Sequence, residues 1–85
     1  MMPQQAKERI GQRLRLELET VEGLSPEEID EVIDAFTVLE SSSPRTGHIQ
    51  YRLMHLGPDI EQRSDVANAI SRAIHAAGYY LAGEE

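Results

Sequence analysis

Cysteine is absent from this sequence of 85 residues. Without a thiol, a disulfide framework, a thiolate metal site and a cysteine nucleophile are all excluded, and such usage is typical of intracellular proteins. No apolar run approaches the roughly 20 residues that a membrane-spanning helix needs. Lys7 and Arg9 are not followed by the apolar core of a signal peptide. We therefore expect a cytoplasmic protein that has no membrane partner.

Basic residues are scarce as well, and they are unevenly placed. The chain has 8 Lys and Arg and 15 Asp and Glu, which gives a net charge of −7. Because phosphate contacts need Lys and Arg, this balance argues against direct nucleic-acid binding. The acidic block at 17–40 is either a solvated helix face or a surface for a basic partner protein. In the second case the contacting residues would be Glu27, Glu31 and Asp34.

The residues that catalysis requires are also missing. The sequence contains no P-loop, no dinucleotide-binding glycine motif, no HExxH and no calcium-binding loop. The candidate bases are His48, His55 and His75. His48 and His55 could share a helix face, but two imidazoles without a nearby carboxylate make a poor zinc site. The sequence therefore predicts a binding protein that is not an enzyme and that needs no cofactor or metal.

The spacing of the apolar residues predicts a single all-α domain, a small helical hairpin or bundle of three to four helices. An N-terminal helix is expected within 1–23, where the apolar residues recur on one face. Two pairs of opposite charges four residues apart would support that helix, Arg13 with Glu17 and Arg15 with Glu19.

A second helix is expected over 24–41. Ser25 has the chemistry of an N-cap, and Glu28 three residues later closes a capping box with it. Pro26 suits the first helical position, because its missing N–H would have no partner there in any case. Apolar residues at helical spacing then continue as far as Leu39.

The C-terminal part, 48–82, is also predicted to be helical. Ile49, Tyr51 and Leu53 alternate as a strand would, although Ile49 and Leu53 fit a helical face equally well. We favour a helix, because a lone strand would have no partner for its backbone groups. The last helix is expected to continue to Gly83, a natural stop.

Small side chains line this last helix and would allow a second helix to approach closely. The face is either an internal seam or a subunit interface. A chain this short often needs an oligomer to bury enough surface, so we expect a homo-oligomer. The interface would then contain Ile70, Ala73, Ala77 and Tyr80.

A cluster of donor groups precedes and enters the C-terminal part. A guanidinium, a hydroxyl and free backbone N–H groups just before a helix can hold a phosphate, and a tyrosine can stack on a base. The alternative is a plain connector between helices. The candidate ligand-binding residues are Arg45, Thr46, His48, Tyr51 and Arg52.

Two stretches resemble a known family. LSPEEI at 24–29 and PDIEQRS at 58–64, the latter followed by an Ala-rich helical pattern, resemble the small phage-encoded helical-hairpin proteins that counter bacterial CBASS and Thoeris defence. Those proteins sequester cyclic-nucleotide signals. The resemblance implies a homo-oligomer, acting in the host cytoplasm, whose subunit junctions hold the nucleotide, but no family binding residue carries over to this chain.

Three functions therefore follow as hypotheses. The first is an anti-defence protein that sequesters a cyclic nucleotide signal. The second is an acidic inhibitor of the anti-CRISPR or DNA-mimic type, which would block a basic surface of a host defence complex. The third is a structural or regulatory module without special chemistry.

Overall fold

The computed structural model describes residues 3–39 and 47–81, with side chains from residue 5 onward. These ranges contain four helices and three strands, so the all-α prediction is wrong. The strands form one sheet in the order β1-β2-β3. The elements are α1 Pro3–Leu18, α2 Pro26–Ala35, β1 Phe36–Leu39, β2 His48–Leu53, α3 Pro58–Glu61, α4 Ser64–Ala76 and β3 Tyr80–Leu81.

Helix α1 supplies the centre of the core. Ala6, Ile10, Leu14 and Leu18 are fully buried, and their spacing of four residues places them on one face. This face contacts α4 above all, and also α2 and β1. Burial of each large apolar side chain contributes about 1.5–3 kcal/mol to the free energy of unfolding.

The charged residues of α1 connect helices to one another. The sequence favoured pairs within the helix, but the structure joins Arg15 to Asp30 of α2 at 2.7 Å and Glu17 to Arg72 of α4 at 2.8 Å. Both pairs are solvent-exposed, where an ion pair is worth about 0–1 kcal/mol. Their contribution is therefore mainly to helix orientation rather than to stability.

The N-terminus of α2 confirms the predicted capping box. The Glu28 N–H donates to the Ser25 hydroxyl at 3.1 Å, and the Ser25 N–H donates to the Glu28 carboxylate at 3.0 Å. Pro26 occupies the first helical turn. The backbone hydrogen bond from Ser25, together with the bond to its side chain, holds the pKa of Glu28 below its usual value.

The predicted helix over 24–41 ends early, at Ala35. Phe36 has extended dihedral angles of −71° and 125°, and the chain enters β1 with no connecting residue. The β-branched residues Thr37 and Val38 favour a strand here. The helix favoured for the stretch that forms β2 is therefore wrong, because β1 supplies the partner that a lone strand would lack. The two strands pair antiparallel, with Val38 opposite Tyr51.

Beyond β2, the C-terminal part is not helical throughout, because a third strand follows α4. Strand β3 runs parallel to β2, with His48 opposite Tyr80. Helix α4 ends at Ala76 because Gly78, at a φ of +94°, reverses the backbone. This is a Schellman motif: the Gly78 N–H donates to the carbonyl of His75, and the next N–H donates back to Ile74, each at 3.0 Å. Gly83, the predicted stop, lies outside the described residues.

The small-residue face of α4 packs inside the single chain. Ile70 and Ala73 are fully buried, and the main neighbour of α4 is α1. Ala77 is half-buried against the same core. This face is therefore an internal seam, which was the other interpretation open from the sequence.

Two glycine substitutions should shift stability in opposite directions. We expect Gly78→Ala to lower the free energy of unfolding by about 1–2 kcal/mol, because only glycine adopts a positive φ without cost. Gly11→Ala, within α1, should raise it by up to about 1 kcal/mol. An added Cβ meets no atom within 4 Å at either position, so backbone conformation alone is tested. Urea denaturation measures both, and a stabilised Gly78→Ala variant would contradict the motif.

The capping box should make stability depend on acidity. Since the folded pKa of Glu28 lies below its ordinary value of 4.5, the stabilisation is complete above that value and is lost as the pH falls through the folded pKa. A glutamine at this position would keep an oxygen acceptor without titrating. We expect the free energy of unfolding of Glu28→Gln to fall less between about pH 5 and pH 3 than that of the wild type, measured by urea denaturation. Parallel pH profiles would contradict this assignment.

Candidate ligand-binding face of the sheet

The side chains of the sheet point alternately to the helices and away from them. Phe36 and Val38 of β1 and Ile49 of β2 are buried in the core. Their strand neighbours therefore point outward, since successive residues of a strand face opposite sides. We call this set the outer sheet face, and it comprises Thr37, Leu39, His48, Gln50, Arg52 and Tyr80.

An aromatic cluster lies at one end of the outer sheet face. The rings of His48 and Tyr80 stack with centroids 5.4 Å apart and planes inclined by 27°. His75, at the end of α4, also contacts the tyrosine, with centroids 5.8 Å apart. Tyr80 is nevertheless 53% exposed. One aromatic surface is thus both held in place and open to solvent.

The turn after α4 explains why this tyrosine is exposed. Tyr79 is buried in the core, whereas Tyr80 points the opposite way because the two are consecutive in extended chain. The Tyr80 N–H donates to the carbonyl of Gly47 at 2.9 Å, which fixes the start of β3 beside β2. The turn at Gly78 therefore positions the aromatic cluster.

His48 also carries an unsatisfied polar atom. Its Nδ1 is shielded from solvent and has no hydrogen-bond partner in the part of the chain that the structure describes. Buried polar atoms normally have a partner, and an exception in a native structure is a candidate for interaction with a bound group. The atom lies within the aromatic cluster.

The charge of the outer sheet face differs from that of the whole protein. None of the residues in the three described strands is acidic. Arg52 is exposed and forms no ion pair with the residues that the structure describes. The face therefore presents a guanidinium that no described acid neutralises, in a protein whose net charge is −7.

The structure separates the predicted ligand-binding residues. His48 and Arg52 lie on the same face of β2, about 13 Å apart along the strand. Tyr51 points to the core side, where its ring stacks on Phe36 with centroids 5.5 Å apart, and burial raises its pKa. Arg45 and Thr46 lie outside the described residues.

The predicted acidic surface lies on a different element. Glu27, Glu31 and Asp34 are exposed on α2 and make no ion pair with described residues. Their acidic neighbours are already engaged, Glu28 in the capping box and Asp30 with Arg15. The three unpaired carboxylates thus form a separate exposed patch.

The remaining predicted residues divide between the interior and the surface. Of the four proposed interface residues, Ile70 and Ala73 are inaccessible in the single chain, and only Tyr80 is exposed. Its position in the aromatic cluster was not foreseen. The glycine that precedes the Tyr79-Tyr80 pair was the sequence signal, since glycine commonly follows the last turn of a helix.

Neither a metal centre nor a membrane helix was identified in the described part of the chain. Residues 3–39 and 47–81 contain no group of three or more His, Asp or Glu placed to hold a metal ion. None of the helices in these ranges has the length and apolarity needed to cross a membrane.

Comparison of the chain with protein-family profiles, with curated proteins and with solved structures found no match.

Proposed function

We propose that this protein is a non-catalytic binding protein that holds a nucleotide ligand on its outer sheet face. The observation that supports this proposal is the exposed Tyr80 ring, stacked on His48, with Arg52 on the same face and paired with no described acid. An aromatic ring and a guanidinium are the two groups that a base and a phosphate prefer. The described strands carry no carboxylate that would repel the phosphate.

The separation of these groups favours a ligand larger than a mononucleotide. His48 and Arg52 are about 13 Å apart along β2. A ligand that contacts both must place its base and a phosphate far apart, which a cyclic di- or trinucleotide can do. Stacking contributes about 1–3 kcal/mol per base, and the charged hydrogen bond adds to this.

Sequestration is the role that this geometry suits. The outer sheet face is open, and an open face does not exclude water as a catalytic site must. Removal of a signal from solution requires binding alone. The helical-hairpin fold that the family resemblance implied does not hold for this chain, so the proposal rests on the outer sheet face, and the resemblance adds the anti-defence context.

Calorimetric titration with cyclic di- and trinucleotides and cyclic ADP-ribose variants tests this proposal. We expect at least one ligand with a Kd below about 100 μM, equivalent to about −5.5 kcal/mol. Arg52→Ala and Tyr80→Leu should each weaken it about tenfold or more, because each removes one recognition group. Arg72→Ala is the matched control, since it deletes a guanidinium on α4 and should leave the affinity unchanged. If no ligand binds within this limit, the nucleotide proposal is abandoned.

The acidic patch on α2 favours a second candidate, an inhibitor that covers a basic surface of a defence complex. This candidate is supported by three exposed carboxylates that pair with no described residue, those of Glu27, Glu31 and Asp34. Exposed charges of one sign accelerate association with a surface of opposite sign. An inhibitor of this type would displace nucleic acid from that surface.

The inhibitor candidate is tested on target-DNA binding by a panel of purified CRISPR effector complexes. We expect inhibition whose on-rate falls steeply with salt, because exposed charges are screened within about 10 Å at 0.1 M. A variant that combines Glu27→Gln, Glu31→Gln and Asp34→Asn should lose the inhibition. Asp59→Asn with Glu61→Gln, which neutralises exposed acids on α3, is the control and should retain it. An on-rate that does not change with salt would contradict the inhibitor candidate.

A further inference from the structure

The solvent face of α1 combines cations with an exposed apolar side chain. Arg9, Arg13 and Leu16 are spaced four and three residues apart, so they lie on one face of the helix. Leu16 is 60% exposed, and both arginines are exposed. Neither arginine pairs with an acid among the described residues, and Glu17, one turn after Arg13, is already bonded to Arg72. We call this surface the α1 face.

A groove of opposite charge lies between the end of α2 and the turn after β2. It has a volume of about 380 Å³, and Glu31 and Asp34 contribute its acidic side. Its apolar part includes Met54, which is 39% exposed, and the half-buried Leu56. The Met54 N–H donates to the carbonyl of Ala35 at 3.0 Å and holds the turn against α2. We call this surface the α2 groove.

The α1 face and the α2 groove cannot satisfy each other within one chain. Arg15 directs one flank of α1 toward α2, where it pairs with Asp30. Arg13 lies one turn from Glu17, on the flank that faces α4, because Glu17 pairs with Arg72. The cations of the α1 face therefore point away from the helix that carries the groove.

We propose that the α2 groove receives the α1 face of a second copy of this protein. Arg9 and Arg13 of one protomer lie against Glu31 and Asp34 of its partner, and Leu16 covers the exposed Met54. The complementarity involves both charge and apolar surface, the two features that the single chain leaves unpaired on these elements. The contact joins two different patches, so it closes into a dimer only where it occurs twice about a two-fold axis, and otherwise it produces a ring or a filament.

This assembly places the interface away from the small-residue face of α4, which the core already uses. It does not depend on the nucleotide proposal, because the outer sheet face shares no residue with either surface. It does share Glu31 and Asp34 with the inhibitor candidate. A protomer whose groove is occupied by a second copy therefore cannot offer those carboxylates to a basic partner.

Charge reversal tests the proposal by sedimentation. We expect the wild type to exceed its chain mass of 9.5 kDa at about 100 μM protein in low salt, and to dissociate at about 1 M salt, where screening acts within about 3 Å. One variant combines Arg9→Glu with Arg13→Glu, and another combines Glu31→Arg with Asp34→Arg. Each should sediment as a monomer, because like charges then meet at the contact.

An equimolar mixture of the two variants is the decisive sample. One supplies an intact α2 groove and the other an intact α1 face, so the mixture should associate where each variant alone does not. Asp59→Arg with Glu61→Arg on α3 is the control and should assemble as the wild type does. Circular dichroism verifies that every variant is folded.

The proposal is overturned by a monomeric wild type in low salt, by association of either reversed variant alone, or by a mixture that stays monomeric. Titration of the Arg9→Glu, Arg13→Glu variant with the nucleotide panel separates the two proposals. Monomeric protein that retains wild-type nucleotide affinity supports both. If the wild type assembles but binds no nucleotide of the panel, only the nucleotide proposal is refuted.

Discussion

The rest of this domain depends on one apolar stripe, formed by the buried residues at every fourth position of α1. Ile10, Leu14 and Leu18 are fully buried, and the helix contacts α2, β1 and α4. Together these three side chains contribute about 5–9 kcal/mol, which is comparable with the whole free energy of unfolding of a typical small domain. Without α1, the apolar sides of the sheet and of α4 would have no common surface to cover. A chain with a single small core has no second element that could take its place.

Structure that depends on neighbours in sequence could be predicted, whereas structure that depends on distant partners could not. The capping box joins Ser25 to Glu28 across three residues, so its residue types alone identify it. At β1 the sequence satisfies two periods at once: Phe36 and Leu39 continue the helical stripe, and Phe36 and Val38 fit a strand with one buried side. The choice is made by pairing with β2, which comes later in the chain. A lone strand has no partner for its backbone groups, but β1 supplies that partner to β2.

The same distinction applies to the candidate site. His48 and Arg52 share one face of β2, although they are far apart along it, because a strand repeats every two residues, and the same period sends Tyr51 to the core. A helix over this stretch would have grouped them differently. Tyr80 joins His48 only through the parallel register of β2 and β3, which the Schellman motif at Gly78 makes possible. The composition of the site was therefore partly visible in the sequence, but its arrangement required the sheet.

The direct passage from α2 to β1 has a consequence for how this chain can vary. Ala35 ends the helix and Phe36 starts the strand, so no spacer residue can absorb a change in length. One added residue in α2 would rotate everything before it by about 100°, and one added residue in β1 would exchange its buried and exposed sides. Insertions and deletions within residues 26–39 should therefore be rare among proteins that keep this fold, whereas substitutions that preserve side-chain volume can accumulate. Descendants of the same ancestor would then align without gaps over this stretch even after most of their identities have been lost.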